Sequence, residues 1–207
     1  MHIEPYATHE EWAGEKDPKT QTPAVNRLDM GEHTGTHVDA ISHMGKAYAS
    51  QSIETMPLSN FYTSGFCLDF SHKGLQVLIE PDEIAAACAS CGQQIKKGDT
   101  LLFYTDHYRR AFGTPAWGKG PGLSAQSARW LGKQGIAAFG VETMAPGVSG
   151  VSNRAVHEIC GELNFTHYEN LVNLHLLLNR GRFRFIGLPL KIRGGTGSPV
   201  RAIAVFE

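Results

Sequence analysis

Three short apolar runs constrain this chain most: GFCLDF (65–70), TLLFY (100–104) and IAAFGV (136–141). Each suits a strand buried in a sheet. Two helical patterns lie between them. The first, PDEIAAACASC (81–91), is amphipathic from Pro81, and the second runs over 125–133 with Ser124 at its N-cap. Residues 153–160 and 170–178 read as two further short helices. The tail, FRFIGLPLKI and then SPVRAIAVFE, reads as two strands around the turn Gly194-Gly195-Thr196-Gly197. Strands and helices alternate, which makes the chain α/β. The hairpin-like close points to a mixed rather than a purely parallel sheet.

At 207 residues a single domain is expected, with enough chain to bury a core. The formal net charge of −1 offers no footprint for nucleic acid and no polybasic membrane patch. No apolar run approaches the roughly 20 residues of a membrane span. The polar, acidic start MHIEPYATHEEWAGEKD is the opposite of a signal peptide. These features lead to the expectation of a cytoplasmic protein. Residues 1–24, with Pro5, Pro18 and Pro23, read as an irregular arm before a domain at 25–207.

The segment GEHTGTHVDAISHM (31–44) sets His33, His37, Asp39 and His43 within fourteen residues. All four positions are odd, so an extended chain would point them to one side. A helix would split them into two pairs on separate faces. Gly35 with the β-branched Thr34, Thr36 and Val38 also disfavours a helix. Imidazoles and a carboxylate aimed into one space suit a borderline divalent ion such as zinc or manganese. The bland alternative is a structural polar cluster.

HTGTHVDAISH closely resembles the H-x-G-T-H-x-D-x-x-x-H signature of the cyclase-like metal hydrolases, the family of bacterial kynurenine formamidase, isatin hydrolase and a trans-dienelactone hydrolase. The resemblance implies that His33, His37 and Asp39 are metal ligands and that His43 is the catalytic acid/base. It also implies a histidine and a glutamate twelve residues apart late in the chain. His157 and Glu169, in VHEICGELNFTHYENLVNL, fit that spacing and complete the implied ligand set. Weaker likenesses in IETMPLSNF, GIAAFGVETMAPG and PLKIRGGTGSPVRAIAV extend the match from about residue 25 to the end.

Two departures stand out. The interior proline common in the formamidases is Ile41 here, and the family's opening strand and loop are not recognisable in residues 1–24, where Trp12 is the nearby tryptophan. The resemblance implies one domain with a mixed sheet, a partly closed β-barrel-like core and flanking helices, the swivelling β/β/α type. It further implies one or two zinc or manganese ions per chain, a homodimer or higher homo-oligomer, and hydrolysis of a small amide, cyclic amide or lactone by a metal-activated water. A catalytically idle binding relative of the same fold is the competing reading. Retention of His43 favours the enzyme, since a pure binding site has no need of a base that is not a ligand.

Other chemistry-bearing residues carry weaker signals. Ser124 and Ser127 lack a nucleophile elbow, and GKGPGLS (118–124) lacks P-loop spacing. Cys88 and Cys91 form a C-x-x-C without a second ligand pair, and read as core thiols. His107, after a buried strand, is a candidate lining residue of the substrate pocket or a surface histidine beside Asp106. Glu142 and Thr143, at another strand end, suit either support of a site or loop capping. Trp117 and Trp130 read as packing residues.

Overall fold

The structure is a computed structural model that describes residues 1–13 and 22–206. Strands β1 (His2–Ala7) and β2 (Val25–Asp29) flank a short helix α1 (His9–Ala13); then come β3 (His37–Asp39), β4 (Tyr62–Asp69) and β5 (Leu78–Ile79). Next are α2 (Pro81–Ser90), β6 (Thr100–Tyr104), α3 (His107–Ala111), β7 (Gly122–Leu123) and α4 (Ala125–Lys133). The chain closes with β8 (Ala138–Val141), α5 (Asn153–Leu163), β9 (Thr166–Glu169), β10 (Phe183–Ile186), β11 (Gly197–Pro199) and β12 (Ile203–Val205).

The main sheet has the order β11-β3-β9-β8-β6-β4-β10-β12. Its centre, β4-β6-β8-β9, is parallel, and its flanks are antiparallel, so the sheet is mixed as expected. The apolar runs form that centre because both of their faces are covered. Leu101 and Phe103 join a core with Phe66, Phe139 and the helical residues Ile84, Leu131 and Val156. Leu102 and Tyr104 face the other way, into a core with Val38, Tyr168 and Phe185. Continuous apolar character is what such two-sided burial requires.

The edges of the sheet reveal its curvature. β11 and β12 stand at opposite edges, yet only three residues separate Pro199 from Ile203. That link can span no more than about 14 Å. A flat eight-stranded sheet would hold its edges about 34 Å apart. The sheet is therefore curled into the partly closed barrel that the family resemblance implied.

The helix boundaries have local causes. Pro81 opens α2 behind a reciprocal capping box between Glu80 and Glu83. Ser124 caps α4 by accepting from the Ser127 N–H at 3.1 Å, an interaction worth about 1 kcal/mol.

Three sequence expectations change. The arm at 1–24 is not irregular throughout, because β1 pairs antiparallel with β2 in a two-stranded ribbon; residues 14–21, with Pro18, lie outside the described residues. The helix expected at 170–178 shrinks to one 3-10 turn, Leu174–Leu177, since Asn170 and Asn173 take left-handed backbone angles that break a helix. The tail is not one hairpin. β12 does pair with β10, but Gly197–Pro199 crosses to the far edge and pairs with β3, carrying the GGTG segment to the histidine motif.

Candidate metal centre

Only His37 and Asp39 of the first motif lie on a strand. Both are buried and, at alternate positions of β3, face the same side. His33 comes from the preceding turn and His43 from a 3-10 helix, Ile41–Met44. Their convergence is real, but a turn and a 3-10 helix produce it rather than one extended segment.

β3 pairs antiparallel with β9, with His37 opposite Glu169 and Val38 opposite Tyr168. The alternation that points Glu169 towards His37 also points His167 towards Asp39. His157, on α5, approaches from the helical layer. The outcome is a buried Asp39 carboxylate ringed by five imidazoles. His33 Nδ1 and His37 Nε2 lie 2.8 and 3.4 Å from Oδ1. His43 Nε2, His157 Nε2 and His167 Nε2 lie 3.6, 3.6 and 3.1 Å from Oδ2. Glu169 joins through Oε2, 3.4 Å from His37, and Oε1, 3.4 Å from His167.

A proton inventory shows what these contacts are. His37 Nδ1 lies 2.9 Å from the Gly35 carbonyl, and His157 Nδ1 lies 2.8 Å from that of Asn153. A carbonyl only accepts, so each neutral ring holds its proton on Nδ1 and turns a bare Nε2 inward. The Thr196 hydroxyl donates to Glu32 Oε2 at 2.7 Å and so accepts from His33 Nε2 at 3.0 Å, which leaves Nδ1 bare. Three ring lone pairs thus face carboxylate oxygens. Asp39 Oδ1 and both nitrogens of His167 are buried without any hydrogen-bond partner. Lone pairs facing lone pairs repel unless positive charge lies between them. Outward hydrogen bonds that fix the inward nitrogen are the usual support of metal-bound imidazole. The donor set therefore fits a divalent cation.

The titration behaviour has the same origin. Where no other positive charge lies between the groups, a proton supplies it: burial opposes charge on His37, yet the hydrogen bonds that its protonated ring donates from Nε2 to Asp39 and Glu169 outweigh burial and lift its pKa to about 9. In His167 the same contest with burial is won by Asp39, and its pKa rises well above the usual histidine range. Burial alone would raise Asp39 and Glu169, but the surrounding imidazoles hold both below the ordinary carboxylate range. His43 goes the other way, because burial lowers its pKa and Asp39 only partly offsets it.

Two sets of donors emerge, within each of which the atoms lie no more than 4.8 Å apart: His33, His37 and Asp39; and Asp39, His157, His167 and Glu169. His43 belongs to neither. Its ring is 4.3 Å from that of His33 and its side chain is 39% exposed, the most open of the group. The cluster thus opens towards solvent on the side of His33 and His43.

His167 was not singled out from the sequence. The available signal was its parity with Glu169 in THYE, the same rule that draws attention to His37 and Asp39. The GGTG segment was also missed as a part of the site. Thr196 orients His33, and a Cβ at Gly197 would come within 2.7 Å of the His33 ring. His107 is not brought to the cluster. It is buried, stacked on Trp117 with centroids 5.2 Å apart, and bonded through Nε2 to the Trp117 carbonyl at 2.8 Å. Cys67, Cys88 and Cys160 are buried free thiols and Cys91 is half-buried; burial pushes Cys88 up to about 11.

The chain is 28% identical over 198 residues to an isatin hydrolase of Roseibium aggregatum, covering 88% of this chain and 74% of that one. It is 27% identical over 180 residues to a kynurenine formamidase of Polaromonas naphthalenivorans, covering 86% and 73%. A crystal structure of an isatin hydrolase bound to the product analogue thioisatinate superposes with a TM-score of 0.84 at 27% identity, covering 98% of this chain and 80% of that one. The sequence profile of the Cyclase family matches residues 3–148, a span that contains the whole first histidine motif and the parallel strands β4, β6 and β8, and the chain belongs to that family.

Proposed function

We propose that this protein is a metal-dependent hydrolase that opens the C–N bond of a small aromatic amide or cyclic amide, or the C–O bond of a lactone. The observation that carries the reading is the buried Asp39 carboxylate, enclosed by imidazoles whose bare nitrogens face it. The similarity to an isatin hydrolase and a kynurenine formamidase supports the choice of bond.

His33, His37, Asp39, His157 and Glu169 would hold one or two ions, zinc or manganese. A bound divalent ion lowers the pKa of water and polarises a carbonyl. The chain supplies the rest. His43, exposed beside His33 and outside both donor sets, takes the proton from the attacking water and returns it to the leaving nitrogen or oxygen. Buried Asp39 and Glu169 offset the charge of the site. Thr196 and the carbonyls of Gly35 and Asn153 hold the imidazoles at fixed angles, so little reorganisation precedes reaction. Retention of His43 on the open side favours this reading over an idle binding relative.

The N-terminal ribbon suggests that the working form is a homodimer or higher homo-oligomer. Tyr6 is 75%, Trp12 62% and Leu28 60% exposed, and a lone two-stranded ribbon is marginally stable in water. A second copy would cover these side chains.

The test is metal analysis of protein purified without chelator, paired with turnover on aryl formamides, isatin and lactones. One or two divalent ions per chain and turnover lost on chelation are expected. Full metal occupancy in a folded His37→Ala protein would sink the assignment.

A further inference from the structure

We propose that His167 is a further cation ligand. With Asp39, His157 and Glu169 it closes an inner subsite, while His33, His37 and Asp39 form an open outer one. This rests on the metal-site reading above and assigns different work to its two halves.

The imidazole of His167 is fully buried, and neither ring nitrogen has a hydrogen-bond partner. A structural histidine in a core satisfies at least one nitrogen, as His107 does on the Trp117 carbonyl. His167 Nε2 instead points between two carboxylates, 3.1 Å from Asp39 Oδ2 and 3.4 Å from Glu169 Oε1. Its ring is fixed there by a stack on Phe139, with centroids 5.4 Å apart, and by the edge-on ring of His157 at 4.8 Å.

The carboxylates are divided between the two subsites. Asp39 turns Oδ1 to His33 and His37, and Oδ2 to His157 and His167, with His43 also 3.6 Å from Oδ2. Glu169 turns Oε2 to His37 and Oε1 to His167. Four protein donors fill the shell of a structural zinc-type site, whereas three leave a position for water or substrate. The inner set is the more buried and has four donors. The outer set has three, and the exposed His43 ring lies nearer to its His33, at 4.3 Å, than to the inner His157, at 5.5 Å. An ion held by the inner set would meet four protein donors, His167 among them, whereas one held by His33, His37 and Asp39 would leave a position for water or substrate.

Cobalt(II) titration of the full chain tests this by stoichiometry and absorption rather than by turnover. The unaltered protein should take up two ions of unequal affinity. His167→Phe keeps an aromatic ring to stack on Phe139 but offers no nitrogen, and it should bind one ion fewer while its circular dichroism stays unchanged. His167→Cys, kept reduced, should gain a near-ultraviolet thiolate-to-cobalt charge-transfer band that the unaltered protein lacks, despite Cys160. Should His167→Phe bind as many ions with unchanged affinity, or His167→Cys show no such band, the proposal is overturned. Failure of the unaltered chain to bind cobalt at all would instead remove the metal-site reading itself, and this proposal with it.

Discussion

Two buried polar regions of this protein use the same residue types to opposite ends. In one, His107 and Glu142 sit at the carboxyl ends of β6 and β8, each 1% exposed. The hydrogen bonds there close donor–acceptor pairs. His107 donates to the Trp117 carbonyl, and Glu142 Oε2 accepts from the Thr105 N–H and hydroxyl at 2.8 and 3.0 Å. In the other, Asp39 is as deeply buried, but the neutral imidazoles around it turn bare nitrogens inward and neither nitrogen of His167 completes a well-aligned hydrogen bond. Burial and titratable chemistry are therefore not what marks a site. Donors that converge without satisfying one another are, because a protein holds such an arrangement only when something else completes it.

The contrast can be broken most directly at Asp39. Asp39→Asn removes the charge shared by both donor sets, so bound metal and turnover should both fall to background, as metal analysis and a rate assay on one preparation would reveal. Unchanged values of both would erase the distinction between the regions.

His43→Ala should retain the metal and lower turnover by roughly 10²–10⁴, the scale of general acid–base catalysis. Measurement with chemistry rate-limiting decides it, and an unchanged rate would remove His43 from the role. Thr196→Val removes the group that orients His33 and should cost about 10–100-fold in metal affinity or activity. A competition titration against a chelator reads that shift, and an unaltered affinity would make Thr196 a bystander.

On the other side of the comparison, His107→Phe preserves the stack on Trp117 and strands its carbonyl. It should cost about 1–3 kcal/mol in denaturant unfolding and leave metal content and turnover at wild-type values. A large loss of turnover in a folded variant would return His107 to the substrate pocket.

The smallest effect is expected at Glu142. Burial raises its pKa above the ordinary 4.5, against the hydrogen bonds from Thr105 that favour the charged form. A raised carboxyl binds its proton better in the folded chain, so its contribution to stability is present below the unfolded pKa and is lost as pH rises through the folded one. Glu142→Gln lacks that loss. Its melting temperature should therefore gain slightly on the wild type as the pH is raised above about 4.5. Parallel melting curves at all pH values would contradict the burial argument.

Much of this was legible in the chain itself. The apolar runs at 65–70, 100–104 and 136–141 became the parallel centre of the sheet because two-sided burial leaves a direct trace in composition. Pro81 and Ser124 marked helix starts through backbone chemistry confined to a few neighbours. The spacing of His33, His37, Asp39 and His43 announced convergence, and the family pattern added His157 and Glu169. The tertiary structure alone decided what meets what. Pairing of β3 with β9 brought His167 beside Asp39, and the crossing of 197–199 to β3 placed Thr196 and Gly197 against His33. The same crossing undid the expected hairpin, and left-handed asparagines undid the helix at 170–178. Periodicity along a chain says which way a side chain faces. Its neighbours across the sheet are fixed by strand order and register, which depend on contacts between residues more than a hundred positions apart.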